Sequence, residues 1–344
     1  MKLGIIGLPG SGKSTVFEAL TRNEVTAGRK DESRIGTVHV PDPRVDILSH
    51  MYHPRKTIFA QVEYLRPGYT TGEQEGLKDQ QIWTQTKNCD ALIHVVRNFK
   101  SYGVAPPTPF EDFLKLDQEL ILTDHVSVEK RIERIQQEQL RHRSIDTNEL
   151  DLLHTCKSHL ENEMPLRRFQ DIASSPLLKG FTFLSAKPMI VLFNNNDESV
   201  HLPKGNDVCK EEMCMVIRGK LEHELSQMPE EEAIAFLKEF NIPASAMDRV
   251  IQQSYHLLGL ISFFTVGEDE VRAWTIHKNT LAIDAAEVIH SDIKKGFIRA
   301  EVISCQDLIE SGSYGAARKK GTVRLEGKTY NIQDGDIVHF RFNV

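Results

Sequence analysis

GLPGSGKST, Gly7 to Thr15, is the stretch that decides how the chain is read. It has the form G-x-x-x-x-G-K-[ST], with Gly7, Gly12, Lys13 and Ser14 at the fixed positions. An apolar run, Leu3 to Ile6, precedes it and a helix-compatible TVFEAL follows, so the context is strand, loop, helix. The spacing follows from chemistry: glycines let backbone N–H groups turn inward around a phosphate chain, and the new helix directs its positive end to the same point. Lys13 then reaches the outer phosphates and Ser14 offers a hydroxyl to Mg²⁺. Gly7, Pro9, Gly10, Ser11, Gly12, Lys13, Ser14 and Thr15 are therefore the expected phosphate-binding residues, with Ser14 the expected metal ligand and Lys13 also expected to be catalytic.

The whole chain fits that reading. Its 344 residues are 40% apolar and 26% charged, as in a soluble globular protein, and exceed what one ordinary core organises. A formal charge of −7 argues against coating nucleic acid wholesale, which needs clustered Lys and Arg. Cys89, Cys156, Cys209, Cys214 and Cys305 are scattered and contain no C-x-x-C pair, so they read as reduced thiols rather than a zinc site or disulfide framework. The apolar start is too short for a signal peptide, and no run approaches the ~18 apolar residues of a membrane span. A cytoplasmic protein without membrane partners is the expectation.

Onward from the loop, NEVTAGRKDESRIG is polar, VHVPDPRVDILSHMYHPRK gives a short strand and a helix from about Arg44 to Met51, and a second strand is expected from Thr57 to Leu65. RPGYTTGEQEGL follows, then a helix around DQQIWTQTKN and the buried strand ALIHVVR, Ala91 to Arg97. From Pro109 apolar residues take helical spacing. Leu116, Leu120, Ile121, Val128, Ile132 and Ile135 line one face, and a second helix from about Asn148 to Phe169 makes an inserted antiparallel hairpin. KPMIVLFNNND, Lys187 to Asp197, resumes the α/β pattern, with a further strand near Cys214 to Ile217 and helices at 219–227, 230–239 and 245–258. Because ligands of doubly wound sheets sit at the carboxyl ends of strands, Asn194 and Asp197 fall where a base is read. From Ile261 short strands (VRAWTI, FIRAEVI, TVRLEG, TYNI, IVHFRF) surround one helix, Ala282 to Ile289.

GLPGSGKST, VPDPRVDILS, CDALIHVVR and above all EVRAWTI…AAEVIHSDIKKGFIRAEVI…RLEGKTYNIQDGDIVHFRFNV resemble the Obg-like ATPase (YchF) family, a branch of the P-loop GTPases, over essentially the whole chain. The resemblance implies an α/β P-loop NTPase (G-domain) sheet with an inserted helical hairpin and a C-terminal ubiquitin-like β-grasp (TGS) domain. The expected boundaries are 1–108 with 179–260, 109–178, and 261–344. It further implies ATP or GTP as ligand, Mg²⁺ as cofactor, slow hydrolysis, and a ribosomal or RNA partner engaged by the arm and the TGS domain.

Departures from the family pattern concern turnover. The first-switch threonine aligns near Lys30, with Thr37 out of register, and the aspartate of D-x-x-G aligns with Leu65, while Gly68 remains as a catalytic candidate. Glu63, two residues earlier on the strand, is a weak substitute, and Arg66 beside Pro67 reads as exposed, with contact to a terminal phosphate as the alternative. Tyr69 occupies the place of the water-orienting glutamine of ordinary GTPases. The base motif reads Asn194-Asn195-Asn196-Asp197. Its Asp favours guanine and the family favours adenine, so ATP and GTP both stay open. Ser185-Ala186-Lys187 imitates a guanine-supporting motif but precedes Asn194, so it is expected only to start a strand, and the true counterpart is placed near Val216 to Arg218. His94 is expected to be a hydrogen-bonded core residue. His50 with His53, and His154 with His159, lack a third ligand at interpretable spacing, and Trp274 and Phe297 more often fill a core than face RNA. The rival reading is a non-hydrolysing ribosome- or RNA-binding module with a degenerate nucleotide site.

Overall fold

The structure, a computed structural model, describes residues 1–22, 33–68, 75–204, 208–239 and 245–343. The switch positions Lys30 and Tyr69 lie outside them. Strands run in chain order as β1 (Lys2–Ile6), β2 (Arg34–His39), β3 (Lys56–Ile58), β4 (Gln61–Arg66), β5 (Ala91–Asn98), β6 (Met189–Asn195), β7 (Met213–Ile217), β8 (Leu260–Val266), β9 (Glu270–His277), β10 (Phe297–Ser304), β11 (Arg324–Glu326) and β12 (Asp336–Phe342). They form two six-stranded sheets, ordered β2-β4-β1-β5-β6-β7 and β11-β10-β12-β8-β9-β3. The chain divides into two compact units, Met1–Thr37 with Glu63–Met247, and Val38–Val62 with Asp248–Val344.

In the first unit β1 lies parallel to β4 on one side and to β5 on the other, and β5, β6 and β7 continue in parallel. Strand order reverses at β1, so the loop leaving its carboxyl end opens into the crevice where such sheets bind ligands. The near-continuous apolar runs of β1, β5 and β6 are buried along their lengths, as strands covered on both faces require. One core gathers Ile6, Leu92, Val96, Val191 and Phe193 with Leu116 and Leu120 from the first helix of the hairpin.

That helix, Pro109–Leu140, holds 32 residues. Its expected apolar face is buried. Ile121, Val128, Ile132 and Ile135 pack against Leu153, Cys156 and Leu160 of the second helix, Thr147–Glu161. Asp146 caps the second helix by accepting from the N–H of Asn148 at 2.9 Å. The helix stops at Glu161 rather than near Phe169, because Pro165 has no N–H to continue the ladder and Glu163 already has a positive φ of 57°. Asp124, fully buried on the long helix, accepts from the N–H groups of Leu184 (2.9 Å) and Ser185 (2.7 Å) and so fixes the hairpin to the segment before β6. Burial outweighs those bonds and pushes its carboxyl up to about 6.

His94 on β5 is fully buried and stacked on Phe113 at 5.3 Å. Contrary to the expectation of a bonded core histidine, its Nδ1 has no hydrogen-bond partner among the described residues. Burial, then the charges of Arg167 and Lys13, pull its imidazole from 6.5 down to about 3. Between those values the unfolded chain holds one proton more than the folded chain, so the stability present above pH 6.5 is lost on acidification. The loss is up to about 1.4 kcal/mol per pH unit. Thermal unfolding near pH 7 and near pH 5 checks this. His94→Leu should lose less of its Tm than the wild type over that interval, and equal losses would refute it.

The second unit corrects several expectations. The strand anticipated from Thr57 to Leu65 is two strands in different sheets: β3 pairs in parallel with β9, while β4 pairs with β1. LISFFTV, which precedes the first strand expected in this region, is β8, antiparallel to β9 and parallel to β12. TYNI forms no strand, contributing one bridge from Asn331 to Leu281. Beside the helix Ala282–Ile289 stand Ser291–Lys295, Cys305–Ser311 and Tyr314–Lys320. The motif VPDPR has a structural use here. Asp42 caps the helix Pro43–Tyr52, and the Arg44 guanidinium joins Asp42 (2.8 Å) to Asp334 (2.7 Å) while lying over the Phe264 ring. Phe297 is buried in the core of this sheet, and the Trp274 indole N–H donates to Thr265 Oγ1.

Candidate functional site

The loop Gly7 to Gly12 joins β1 to the helix Lys13–Thr21. Gly12 is the residue before the helix, in the left-handed conformation with φ 94°. Its lack of a side chain is required twice over, because a Cβ there would stand 2.2 Å from Asn194 Nδ2. The loop closes on itself through the Ser11 N–H, which donates to Leu8 O at 3.2 Å, and the helix starts with Val16 N–H donating to Gly12 O at 3.0 Å. Pro9 and Gly10 are exposed at the rim, Ser11 is buried, and Thr15 is half-buried in the first helical turn.

Lys13 folds back over the loop. Its ammonium donates to Gly7 O at 2.7 Å and Leu8 O at 2.8 Å, leaving the third N–H for an anion. Burial first, and the neighbouring Arg66 charge second, push Lys13 down to about 8. The Ser11 hydroxyl is buried with no hydrogen-bond partner among the described residues. A cradle of turned backbone, an ammonium with a donor to offer and a buried hydroxyl fit a phosphate chain.

Asn194 stands at the carboxyl end of β6, beside the phosphate loop. It is buried, its Nδ2 donates to Ser11 O at 3.1 Å, and its Oδ1 accepts from the Gly219 N–H at 2.9 Å. Both ends of the amide thus tie the phosphate loop to the segment after β7, so its described contacts make it a brace. Asn195 turns inward as well, donating to Ser199 O and His201 O and accepting from Asn98 Nδ2 at 2.7 Å. Asp197 is exposed just past the strand. Ser185-Ala186-Lys187 is a strand lead-in: Ser185 is held by Asp124, and Lys187 donates to the carbonyls of Lys87 and Cys89.

The switch strand departs furthest from expectation. Glu63 lies opposite Lys2, at the start of β1 and away from the loop, and pairs with it at 3.7 Å. Leu65 is buried opposite Gly4. Arg66, expected to be exposed, is 4% exposed, and its Nη1 donates to Ser14 Oγ at 3.1 Å. The residue facing the loop's hydroxyl is therefore Arg66 and not the aligned Leu65. Gly68 is buried and its N–H donates to Gln85 Oε1 at 3.1 Å, so that amide is already engaged. No motif points to Gln85 or Asn98; an arginine ending an apolar strand is the available sign of Arg66.

Of the described residues, Ser14 is the one that would hold magnesium, through a single hydroxyl beside phosphate oxygens and water. Among them no three His, Cys, Asp or Glu side chains gather to hold a metal, and Ser14 Oγ accepts from a cation. No helix among the described residues is long and apolar enough to cross a membrane.

Comparison with known proteins bears on the same architecture. Residues 260–343 match the family model YchF-GTPase_C, described as a protein of unknown function (DUF933). The chain is 36% identical over 364 residues to the Ribosome-binding ATPase YchF of Bacillus subtilis, covering 99% of each. It is 37% identical over 360 residues to the protein of that name from Buchnera aphidicola, covering 100% of this chain and 99% of the relative. Its fold matches the solved structure of the Schizosaccharomyces pombe YchF GTPase with a TM-score of 0.84 at 28% identity, over 99% of this chain and 97% of that one.

Proposed function

We propose, because this chain belongs to the YchF family, that it binds a purine nucleoside triphosphate, ATP or GTP, cleaves it slowly, and associates with the ribosome in the cytoplasm. The observation that carries the nucleotide half of this reading is the loop Gly7 to Thr15, closed around the Lys13 ammonium and braced by Asn194. The relatives' name, ribosome-binding ATPase, supports the other half. Gly7 to Gly12 cradle the phosphates with backbone N–H groups, and Lys13 neutralises their outer charge. Asp197, at the exposed end of the base-side strand, is the residue available to read the base. We take residues 109–178 as the arm and 261–344 as the TGS domain, the surfaces offered to ribosomal RNA or protein.

Slow turnover follows from what the site lacks in this arrangement. The Gly68 N–H is held by Gln85, and the Ser14 hydroxyl is held by Arg66. The same two contacts favour a second reading, a ribosome- or RNA-binding module that holds nucleotide without hydrolysing it. Isothermal titration of the full chain with ATP, GTP and their diphosphates is the test. Binding of at least one in the micromolar range is expected, and no binding by any at submillimolar concentration sinks the proposal. Single-turnover phosphate release separates the readings: release slowed by Lys13→Ala supports hydrolysis, and none from the wild type supports the second.

A further inference from the structure

At the end of the first sheet away from the phosphate loop, the residues that lead into β5 and β6 stand side by side. The Leu92 N–H donates to Pro188 O at 2.9 Å, and the Asp90 N–H donates to Lys2 O, at the start of β1, at 2.7 Å. Between these lead-ins and the segment from Ile172 to Phe183 opens a cleft of about 370 Å³. Its floor is apolar, because Ile172, Leu178 and Phe183 are buried there as members of the arm's core. Its polar wall carries three lysines, Lys87, Lys179 and Lys187, against one carboxylate, Asp90. We propose that this cleft binds a small organic anion, a carboxylate or phosphate monoester carried on an apolar body, at a site separate from the phosphate loop.

Three features select that chemistry. Lys187 is held in place at the cleft: its ammonium donates to the carbonyl of Lys87, the last residue of the helix Glu75–Lys87, at 3.0 Å, and to Cys89 O. Two of its three N–H groups are thus engaged, and among the described residues the third is left for a ligand. Burial holds this ammonium below the ordinary lysine value, and the charges of Asp90 and Asp124 act the other way without restoring it, so an arriving anion meets an under-compensated cation. Lys87, half-buried, and Lys179, exposed, make no ion pair among the described residues, and both add positive charge to the same wall. The floor supplies the rest, since an apolar lining with a few convergent polar groups is what small-molecule sites share, and the volume falls within their range of about 300–1,000 Å³. A bare inorganic ion would leave that floor unused.

Ligand-observed NMR titration of the full chain with octanoate, octyl phosphate and octylammonium tests this. At least one of the two anions should bind with a dissociation constant below about 1 mM, and octylammonium at least about tenfold more weakly. The tighter of the two anions identifies the head group. Exchanging Lys87 and Lys179 together for glutamate leaves the Lys187 ammonium in place and should weaken the anion by about 10- to 100-fold. Ala173→Trp, which puts an indole into the cleft, should abolish binding, whereas saturating ATP should leave it unchanged. No binding of either anion at about 5 mM overturns the proposal, as does octylammonium binding as tightly as the anions. So do an Ala173→Trp protein that binds like wild type and displacement of the anion by ATP. Thermal unfolding shows whether each variant is folded, and the comparison of anion with ammonium on the wild type decides the matter where one is not.

Discussion

Gly12→Ala should lower ATP affinity by at least about 100-fold, whereas Gly10→Ala, two residues away in the same loop, should cost only about tenfold. Both glycines have positive φ, 94° and 76°, so each alanine carries the strain of a left-handed backbone, about 1–2 kcal/mol. The difference lies in what surrounds them. A Cβ at Gly10 meets nothing within 4 Å, while one at Gly12 falls 2.2 Å from Asn194 Nδ2. Asn194 cannot retreat without giving up Ser11 O and the Gly219 N–H, its partners at 3.1 and 2.9 Å. The loop can relieve the clash only by leaving the conformation that turns its N–H groups inward, so the cost appears as lost affinity. Isothermal titration of the two variants, with thermal unfolding to confirm that each is folded, checks the contrast. Equal losses would show that the Asn194 brace does not set the shape of the loop.

The largest expected loss of stability comes from Arg167. Its guanidinium lies between Asp117 (2.8 Å) and Glu212 (2.7 Å), and the three side chains are 6%, 8% and 8% exposed. The group fastens the long helix of the arm to the segment before β7. Removing the cation leaves two carboxylates buried and uncompensated, so Arg167→Met should destabilise the protein by about 3–5 kcal/mol. That lowers Tm by roughly 10 °C for a unit of this size. Replacing Asp117 and Glu212 by leucine in the same protein should recover most of the loss, because three packed apolar side chains bury no charge. Calorimetry of the single and triple variants measures both, and a single variant within about 1 kcal/mol of wild type would contradict the account.

How much of the molecule is legible in its sequence depends on how local each signal is. The loop, its flanking strand and its helix are readable because everything they need lies within nine consecutive residues, Gly7 to Thr15. The hairpin's buried face is readable from helical spacing, and only its end is misplaced, because Pro165 stops the helix before the apolar pattern does. The division of Thr57 to Leu65 between two sheets is not readable, since period-two alternation marks a strand without saying which neighbour it will pair with. LISFFTV is hard to see for a related reason: a fully buried strand has no alternation to display. At the site, chain order brings Asn194 to the carboxyl end of a strand, but the partners of its amide, 183 and 25 positions away, are not readable from it. Arg66 reads as exposed because charged side chains mostly are, and its burial at the end of β4, with a bond to a hydroxyl 52 residues earlier, reverses that expectation.

The arm also makes the protein easy to handle. Thirty-two helical residues at about 1.5 Å each extend roughly 48 Å, and the turn at the far end, Arg141 to Ser144, is exposed. A dye, an affinity tag or a tether to a bead attached in that turn would disturb neither the packed interior from Ile121 to Leu160 nor the loop at Gly7. Single-molecule assays of nucleotide arrival have a natural attachment point there.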